Sequence, residues 1–240
     1  MNKAFRVIRA FFGIMHPQKW GVFVKTYEAT KFDHAFDVTW SQVGEDIGLA
    51  KALYQTINGK YVDVGAHHPS RYSVTRRLFS EGWSGVNIDA NKALIEAFNR
   101  NRPNDVNLWG CVGTEKEYEL TVFEEPAIST VNKEWETKFL NKNQRIAHKV
   151  KVPGITLAEI FEKYFENGFP NLLTIDAEGA DLEVLKSANL SIGVGPEWLL
   201  LEADPPLSQV LETPAVKFAM ELGYELYLIL GAAALLRMKL

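Results

Sequence analysis

The sequence predicts one α/β domain built around a mostly parallel β-sheet that helices cover on both faces. From Ser41 onward, short apolar runs alternate with amphipathic helical segments, which is the pattern of strands buried on both sides. Of the 240 residues, 47% are hydrophobic and 23% are charged, an ordinary globular composition that argues against extensive disorder. We therefore expect a lead-in segment over residues 1–40 and the α/β domain over residues 41–240.

Strands and helices alternate through the first half of the domain. Apolar runs that stop at a glycine or an acidic residue predict buried strands, and apolar residues spaced three and four apart predict helices. Gly65 ends the first strand, and Gly82 ends the first helix. In chain order we expect a strand at 61–64, a helix at 73–80, a strand at 85–88, a helix around 94–98, a strand at 106–109 and an edge strand at 118–123.

The second half continues this alternation. Thr156 and Glu159 form a capping box that opens a helix, and Thr213 followed by Pro214 suits the first positions of another. We also expect strands at 172–175 and 198–201, followed by a closing hairpin at 224–229 and 234–238.

Charge and cysteine content exclude several classes of protein. The net charge of −4, from 26 basic and 30 acidic side chains, argues against a nucleic-acid partner. The single cysteine, Cys111, cannot form an internal disulfide, so we expect a reducing, cytoplasmic location. The most apolar N-terminal run, Ala4–Met15, is interrupted by Arg6 and Arg9. It is too short to span a bilayer and predicts at most a weak peripheral membrane contact, with a helix packed on its own domain as the favoured alternative.

Four acidic residues occupy or adjoin the carboxyl ends of the predicted strands. They are Asp63, Asp89, Asp176 and Glu202. Ligands of parallel sheets bind at this edge, and a carboxylate beside a buried strand is desolvated unless something pairs with it. Each residue alone could simply cap the following helix. Four together favour a site for a ligand that carries hydroxyls, a positive charge or a metal.

The turn after the first strand narrows the class of ligand. Gly65 allows a tight turn, but the second and third glycines of the dinucleotide fingerprint are missing, which disfavours a pyrophosphate cofactor such as NAD. Asp89 follows Gly65 by 24 residues, the position of a carboxylate that binds two ribose hydroxyls. A nucleoside that has no phosphate and carries a cationic centre is S-adenosylmethionine.

Four segments resemble the FkbM-like methyltransferases. They are SQVGED (41–46), YVDVGAHHP (61–69), GWSGVNIDA (82–90) and LLTIDAEGADLEVL (172–185). The last contains Asp-x-Glu-Gly between a strand and a helix, which is the family's hallmark. The resemblance covers roughly Ser41 to Asp204. It departs at His67-His68-Pro69, where most relatives have asparagine and a small residue, and this loop looks like that of a glycan-modifying subgroup.

The resemblance implies a class I methyltransferase fold, a Rossmann-like seven-stranded sheet whose last strand is antiparallel. It also implies S-adenosylmethionine as cofactor and a hydroxyl of a sugar or glycan as the most probable acceptor class, with a polyketide, lipid or amide acceptor as the alternative. A non-catalytic module of the same fold is a further alternative. The oligomeric state stays open. The expected cofactor-binding residues are Gln42, Asp63, Gly65, Ala66, His67, Asp89, Ala90 and Cys111. Asp46 could close over the cofactor together with Gln42, and the alternative for Asp46 is a charge on a helix surface.

Methyl transfer to a sugar hydroxyl needs help, because that hydroxyl is a poor acid. A base or a metal ion must assist while the oxygen, methyl carbon and sulfur are aligned. The candidate catalytic residues are His68, Asp176 and Glu178. Adjacent residues usually point in different directions, so we expect one of the two histidines to face substrate, and we choose His68 over His67.

Two further expectations concern the surroundings of the reacting atoms. Asp176 and Glu202, with Asp204 close by in sequence, could hold Mg²⁺ or Mn²⁺ through oxygen ligands. The irregular insert at 126–149 should cap the acceptor, and Trp135 should stack on a sugar face; the alternative is a surface helix packed by Trp135 and Phe139. Lys138 and Lys142, together with Glu134 and Arg145, are expected on the solvated face of that insert.

Overall fold

The computed structural model describes residues 38–166, 168–203 and 207–239. Most of the lead-in expected at 1–40 lies outside these residues, as do the Ala4–Met15 segment and Asp204. The domain boundary at residue 41 stays a prediction.

Helices and strands alternate along the described chain as the sequence pattern indicates. The helices are α1 (Glu45–Ala52), α2 (Arg76–Ser80), α3 (Lys92–Asn101), α4 (Lys133–Asn141), α5 (Leu157–Tyr164), α6 (Asp181–Lys186) and α7 (Pro214–Glu221). The strands are β1 (Lys60–Val64), β2 (Ser84–Asp89), β3 (Val106–Trp109), β4 (Cys111–Val112), β5 (Glu117–Phe123), β6 (Ile146–Ile155), β7 (Leu172–Ile175), β8 (Trp198–Glu202), β9 (Tyr224–Leu230) and β10 (Ala233–Met238). Short 3₁₀ turns lie at Pro126–Ile128 and Leu207–Glu212.

Seven of these strands form the main sheet in the order β3-β2-β1-β7-β8-β10-β9. The pairings among β3, β2, β1, β7 and β8 are parallel, whereas β10 runs antiparallel to both β8 and β9. The expected fold, a mostly parallel seven-stranded sheet whose last strand is antiparallel, is therefore confirmed. The order reverses between β1 and β7, and this switch point places the carboxyl ends of both strands beside one opening.

Buried apolar side chains form the middle of the sheet. Leu172, Leu173 and Ile175 of β7 are buried, as are Val62 and Val64 of β1. Helix α5 begins at the expected capping box, in which the Thr156 hydroxyl accepts from the Glu159 N–H at 3.1 Å. Among the helices described, none is long and apolar enough to cross a bilayer.

Two elements differ from the sequence-based expectation. The helix expected over 73–80 begins only at Arg76, because the side chains of Ser73 and Thr75 form hydrogen bonds with buried groups of other elements. The strand expected at 118–123 is real, but it belongs to a second, three-stranded sheet of order β4-β6-β5. Its partner β6 begins within the segment that sequence analysis treated as an irregular insert.

Candidate active site

Two adjoining cavities open at the carboxyl ends of the central strands. The larger has a volume of about 410 Å³ and the smaller about 260 Å³, sizes suited to small ligands or parts of them. The larger extends over the ends of β1 and β2 toward β4, and the smaller lies toward β8 and α4. The residues that line both cavities are Gln42, Gly65, Tyr72, Asp176 and Glu178.

Gly65 brings the turn after β1 close to the turn after β7. Its φ is +75°, in the left-handed region where a side chain is disfavoured. A Cβ at this position would collide with the backbone carbonyl of Asp176. The glycine therefore permits both the turn and the close approach of the two strand ends.

Asp89 ends β2 and lines the larger cavity. One of its carboxylate oxygens accepts from the His67 N–H at 2.8 Å and the other from the Asn91 N–H at 2.7 Å. Burial raises the pKa of Asp89 to about 6, although these two hydrogen bonds oppose the shift. Each oxygen keeps capacity for a further donor, so the carboxylate can bind ligand hydroxyls.

The wall beside Asp89 is formed by small and apolar groups. Ala90, Gly110, Cys111 and Val112 line this part of the larger cavity. Burial raises the pKa of the Cys111 thiol to about 12, so the thiol is neutral near pH 7 and acts as a wall rather than a nucleophile.

The two histidines of the loop after β1 differ in their contact with the cavities. His67 lines the larger cavity and stacks on Tyr72, with ring centroids 5.9 Å apart. His68 lines neither cavity, and its Nδ1 accepts from the N–H groups of Ser70 and Arg71 at 3.1 Å each. The choice of His68 as the histidine that faces substrate stays a prediction, and the cavity lining favours His67 instead. Burial lowers the pKa of His67 to about 4, which makes it neutral and weakly basic.

A buried arginine that sequence analysis missed holds this loop from behind. Arg102 follows α3 and is fully buried. Its guanidinium donates to the carbonyl of Pro69 and to the Ser73 hydroxyl at 2.7 Å each, and to the Thr75 hydroxyl at 2.8 Å. An arginine in a helical pattern carries no sequence signal for such a role, because only the tertiary fold brings the loop to it.

Asp176 lies at the wall common to both cavities. Its side chain is exposed at the wall of the cavities. Burial, together with the nearby carboxyl groups of Asp181, Asp63, Glu45 and Asp89, raises its pKa to about 7. Within the described chain, no hydrogen bond to its carboxylate is found. A carboxylate of this kind is suited to accept a proton near neutral pH.

Asp63 and Ala66, two of the expected cofactor-binding residues, line the smaller cavity and not the larger one. The Asp63 carboxylate accepts from the Thr75 hydroxyl at 2.6 Å and from the Thr174 hydroxyl at 2.7 Å. Burial raises its pKa. Its position below the cavity floor ties β1 to β7 and to the start of α2.

One face of α4 closes the smaller cavity. Trp135, Lys138, Phe139 and Lys142, spaced three and four apart, line it. Trp135 contributes a ring wall, as expected of the insert, and it also packs on Phe139 at a centroid distance of 5.4 Å, as in the alternative. Lys142 is exposed and Lys138 is half-buried, and both also line the cavity; their helical spacing from Trp135 was the signal that could have placed them there.

The described residues do not support the expected metal centre. Asp176 and Glu202 both line the smaller cavity. Across residues 38–166, 168–203 and 207–239, however, no three side chains of the His, Cys, Asp or Glu types come together as a metal site.

The Asp46 carboxylate binds groups of the preceding chain. It accepts from the hydroxyls of Thr39 and Ser41 at 2.6 and 2.8 Å and pairs with Arg77. Its role is therefore to anchor the chain before α1.

Solved methyltransferases share similarity with this chain at low identity. It is similar to a TehB-like SAM-dependent methyltransferase of Corynebacterium glutamicum, with 11% identity and a TM-score of 0.41 over 93% of this chain and 100% of that one. It is also similar to a putative RNA methyltransferase, PH1948, of Pyrococcus horikoshii, with 10% identity and a TM-score of 0.45 over 94% and 100%. It is similar as well to the putative methyltransferase yhhF of Escherichia coli, with 14% identity and a TM-score of 0.42 over 85% of this chain and 92% of that one.

No curated protein matches the chain. A family model, described as the methyltransferase FkbM domain, matches residues 63–220. That match runs from the end of β1 into the end of α7 and spans more than half of the chain. The chain therefore belongs to the FkbM family of S-adenosylmethionine-dependent methyltransferases.

Proposed function

We propose that this methyltransferase binds S-adenosylmethionine in the larger cavity and transfers the methyl group to a hydroxyl oxygen of a saccharide in the smaller one. The position of Asp176 carries the proposal, because it lines both cavities and so lies where the donor and the acceptor would meet. Asp89 would bind the ribose hydroxyls, Cys111 would flank the adenine and Gly65 would lie under the methionine portion.

In this reaction the acceptor oxygen attacks the methyl carbon in line with the sulfur. The new C–O bond forms as the S–C bond breaks, and S-adenosylhomocysteine leaves as a neutral thioether. The hydroxyl proton passes to the Asp176 carboxylate, whose raised pKa of about 7 suits a base at neutral pH. Orientation of the two substrates supplies much of the rate enhancement.

The lining of the smaller cavity supports a hydroxyl-rich acceptor. Carboxylates at Glu178 and Glu202 can accept hydrogen bonds from sugar hydroxyls, and the Trp135 indole offers an apolar ring face. We call the α4 face formed by Trp135, Lys138, Phe139 and Lys142 the acceptor wall. The lining also contains apolar side chains such as Val74, Ile175 and Leu200, so the preference for a saccharide over a lipid or polyketide rests on the polar groups.

The test is a methyl-donor assay with isotope-labelled S-adenosylmethionine against monosaccharides, oligosaccharides and nucleotide sugars, with lipid, polyketide and amide acceptors as the comparison arm. Mass spectrometry reads the addition of one methyl group. We expect methylation in the saccharide arm. Methylation in the comparison arm alone would overturn the saccharide assignment but leave the cofactor site intact. Failure of S-adenosylmethionine to bind would overturn the whole proposal.

A further inference from the structure

The turn that carries Asp176 contains two neighbouring residues with positive φ, although it also has hydrogen bonds of its own, from the Ala180 N–H to the Ala177 carbonyl at 3.1 Å and from the Ala177 N–H to the Asp181 carboxylate at 3.3 Å. Glu178 and Gly179 both adopt left-handed conformations, with φ of +46° and +90°. A non-glycine residue in this region is strained by on the order of 1 kcal/mol and persists only where its surroundings hold it. The contacts that keep this turn in its conformation therefore matter for function, because the same turn carries Asp176.

Two side chains that precede α4 supply the hold. The Thr130 hydroxyl donates to the Glu178 carbonyl at 2.9 Å, and the Asn132 side-chain amide donates to the Gly179 carbonyl at 2.9 Å. The carbonyl groups of both positive-φ residues thus accept hydrogen bonds from the insert.

The ring of Trp135 completes the contact. It packs against Gly179 so closely that a Cβ there would collide with the indole. Gly179 is therefore needed both for its positive φ and for the approach of the acceptor wall. The insert and the turn contact each other at three places in sequence, through Thr130, Asn132 and Trp135.

The insert is itself well anchored, which it must be to hold a strained turn. The backbone of Thr130 pairs with Thr121 of β5 through two hydrogen bonds of 2.9 and 3.1 Å. Asn132 is the N-cap of α4, and its Oδ1 accepts from the N–H groups of Glu134 and Trp135 at 2.9 and 3.2 Å. One asparagine thus uses its oxygen to start the helix and its nitrogen to hold the turn.

We infer that Thr130 and Asn132 are positioning residues, which lock the turn bearing Asp176 to the acceptor wall so that base and acceptor keep a fixed geometry. The inference rests on the proposed function for its catalytic consequence, but the lock itself is a property of the protein without substrate. Thr130 also lines the larger cavity, whereas Asn132 lines neither cavity, so Asn132 would control turnover without contacting the cofactor.

Two substitutions remove the donors with little change in shape. Thr130→Val removes the hydroxyl, whereas Thr130→Ser keeps it. Asn132→Asp keeps the oxygen that caps α4 and replaces the amide donor with an acceptor. Thr137→Val is the matched control, because Thr137 is exposed on α4 and its hydroxyl donates only to the Lys133 carbonyl.

Amide hydrogen exchange of the full chain saturated with S-adenosylhomocysteine tests the lock directly. We expect faster exchange in the peptide covering residues 176–181 for Thr130→Val and Asn132→Asp, with β1 peptides unchanged and with wild-type exchange in Thr130→Ser and Thr137→Val. Wild-type exchange of this peptide in both donor-removing variants would overturn the inference, whether or not an acceptor is known. Faster exchange throughout the chain would also overturn it, because the two residues would then be general stabilisers.

With the acceptor that the wild-type protein methylates fastest, the same two variants should lose roughly tenfold to a hundredfold in kcat, as expected when a catalytic group is misplaced. The affinity of Asn132→Asp for S-adenosylhomocysteine should not change, because Asn132 lines neither cavity. An unchanged kcat would contradict the positioning role. If the wild-type protein methylates nothing in the panel, the proposed function fails, while the exchange experiment still decides the lock.

Discussion

Replacing Asp176 by asparagine should lower activity and raise stability at the same time. The substitution keeps the size of the side chain and removes its charge. If this charge accepts the proton and stabilises the transition state, kcat should fall about a hundredfold. The affinity for S-adenosylhomocysteine should change little, because the neutral thioether has no positive charge to pair with the carboxylate.

The stability change follows from the direction of the pKa shift. Burial and four neighbouring carboxyl groups raise the pKa of Asp176 from 3.8 to about 7 in the folded protein. Between these values the folded state binds more protons than the unfolded state, so stability falls as the pH rises from about 4 to about 7. Above pH 7 Asp176 is ionised in both the folded and the unfolded state, so the folded protein loses no further stability through this group.

Solvent in the cavity reaches the Asp176 carboxylate and screens its charge. The change in the free energy of unfolding is therefore smaller than the full pKa shift would give. We expect Asp176→Asn to gain roughly 1 kcal/mol near pH 8, which corresponds to about 2 to 4 °C in Tm for a chain of this size. The gain should vanish near pH 4. Thermal unfolding across this pH range measures it, beside initial rates of methyl transfer.

Glu117→Gln serves as the control, because it removes a carboxylate from the exposed pair with Lys151 and should leave both rate and pH dependence unchanged. A variant of Asp176 that is less stable than wild type at every pH, or one with normal turnover, would refute the reasoning.

Further predictions concern the two cavities. Asp89→Ala should weaken S-adenosylhomocysteine binding at least about tenfold in calorimetry, through loss of charge-assisted hydrogen bonds; exposed Glu96→Gln is the control, and equal affinities would remove Asp89 from the site. Gly65→Val should lower both Tm and cofactor affinity, since the side chain meets the Asp176 backbone, and an unchanged Tm would contradict that collision. Trp135→Ala should raise KM for a saccharide acceptor without changing cofactor affinity, and an unchanged KM would exclude ring stacking. EDTA should leave activity unaltered, because the described residues offer no cluster of metal ligands; loss restored by Mg²⁺ or Mn²⁺ would contradict this.

The main sheet and the position of the cavities were predictable from sequence. Strands such as β7 are apolar runs that end at an acidic residue, and parallel strands place those ends together. Asp89 and Asp176 were found in this way, and both line the cavities as the strand-end rule requires.

What sequence reasoning could not place depends on backbone conformation and distant packing. His67 has a φ of +53°, in the left-handed region, and no feature of the histidine pair shows which of the two takes this conformation. Arg102 and Pro69, which a hydrogen bond joins, lie 33 residues apart in the sequence. The insert carries its own pattern, but the pairing of β6 with β5 and the contact of α4 with the Asp176 turn exist only in the folded chain.

A crystal structure with S-adenosylhomocysteine tests the central claim most directly, because it shows whether the methyl donor and the acceptor space meet at Asp176. We predict the ligand in the larger cavity, with its ribose hydroxyls bound to Asp89, its adenine beside Cys111 and its sulfur at the opening toward the smaller cavity. A ribose away from Asp89, or a sulfur that faces away from the smaller cavity, would contradict the account.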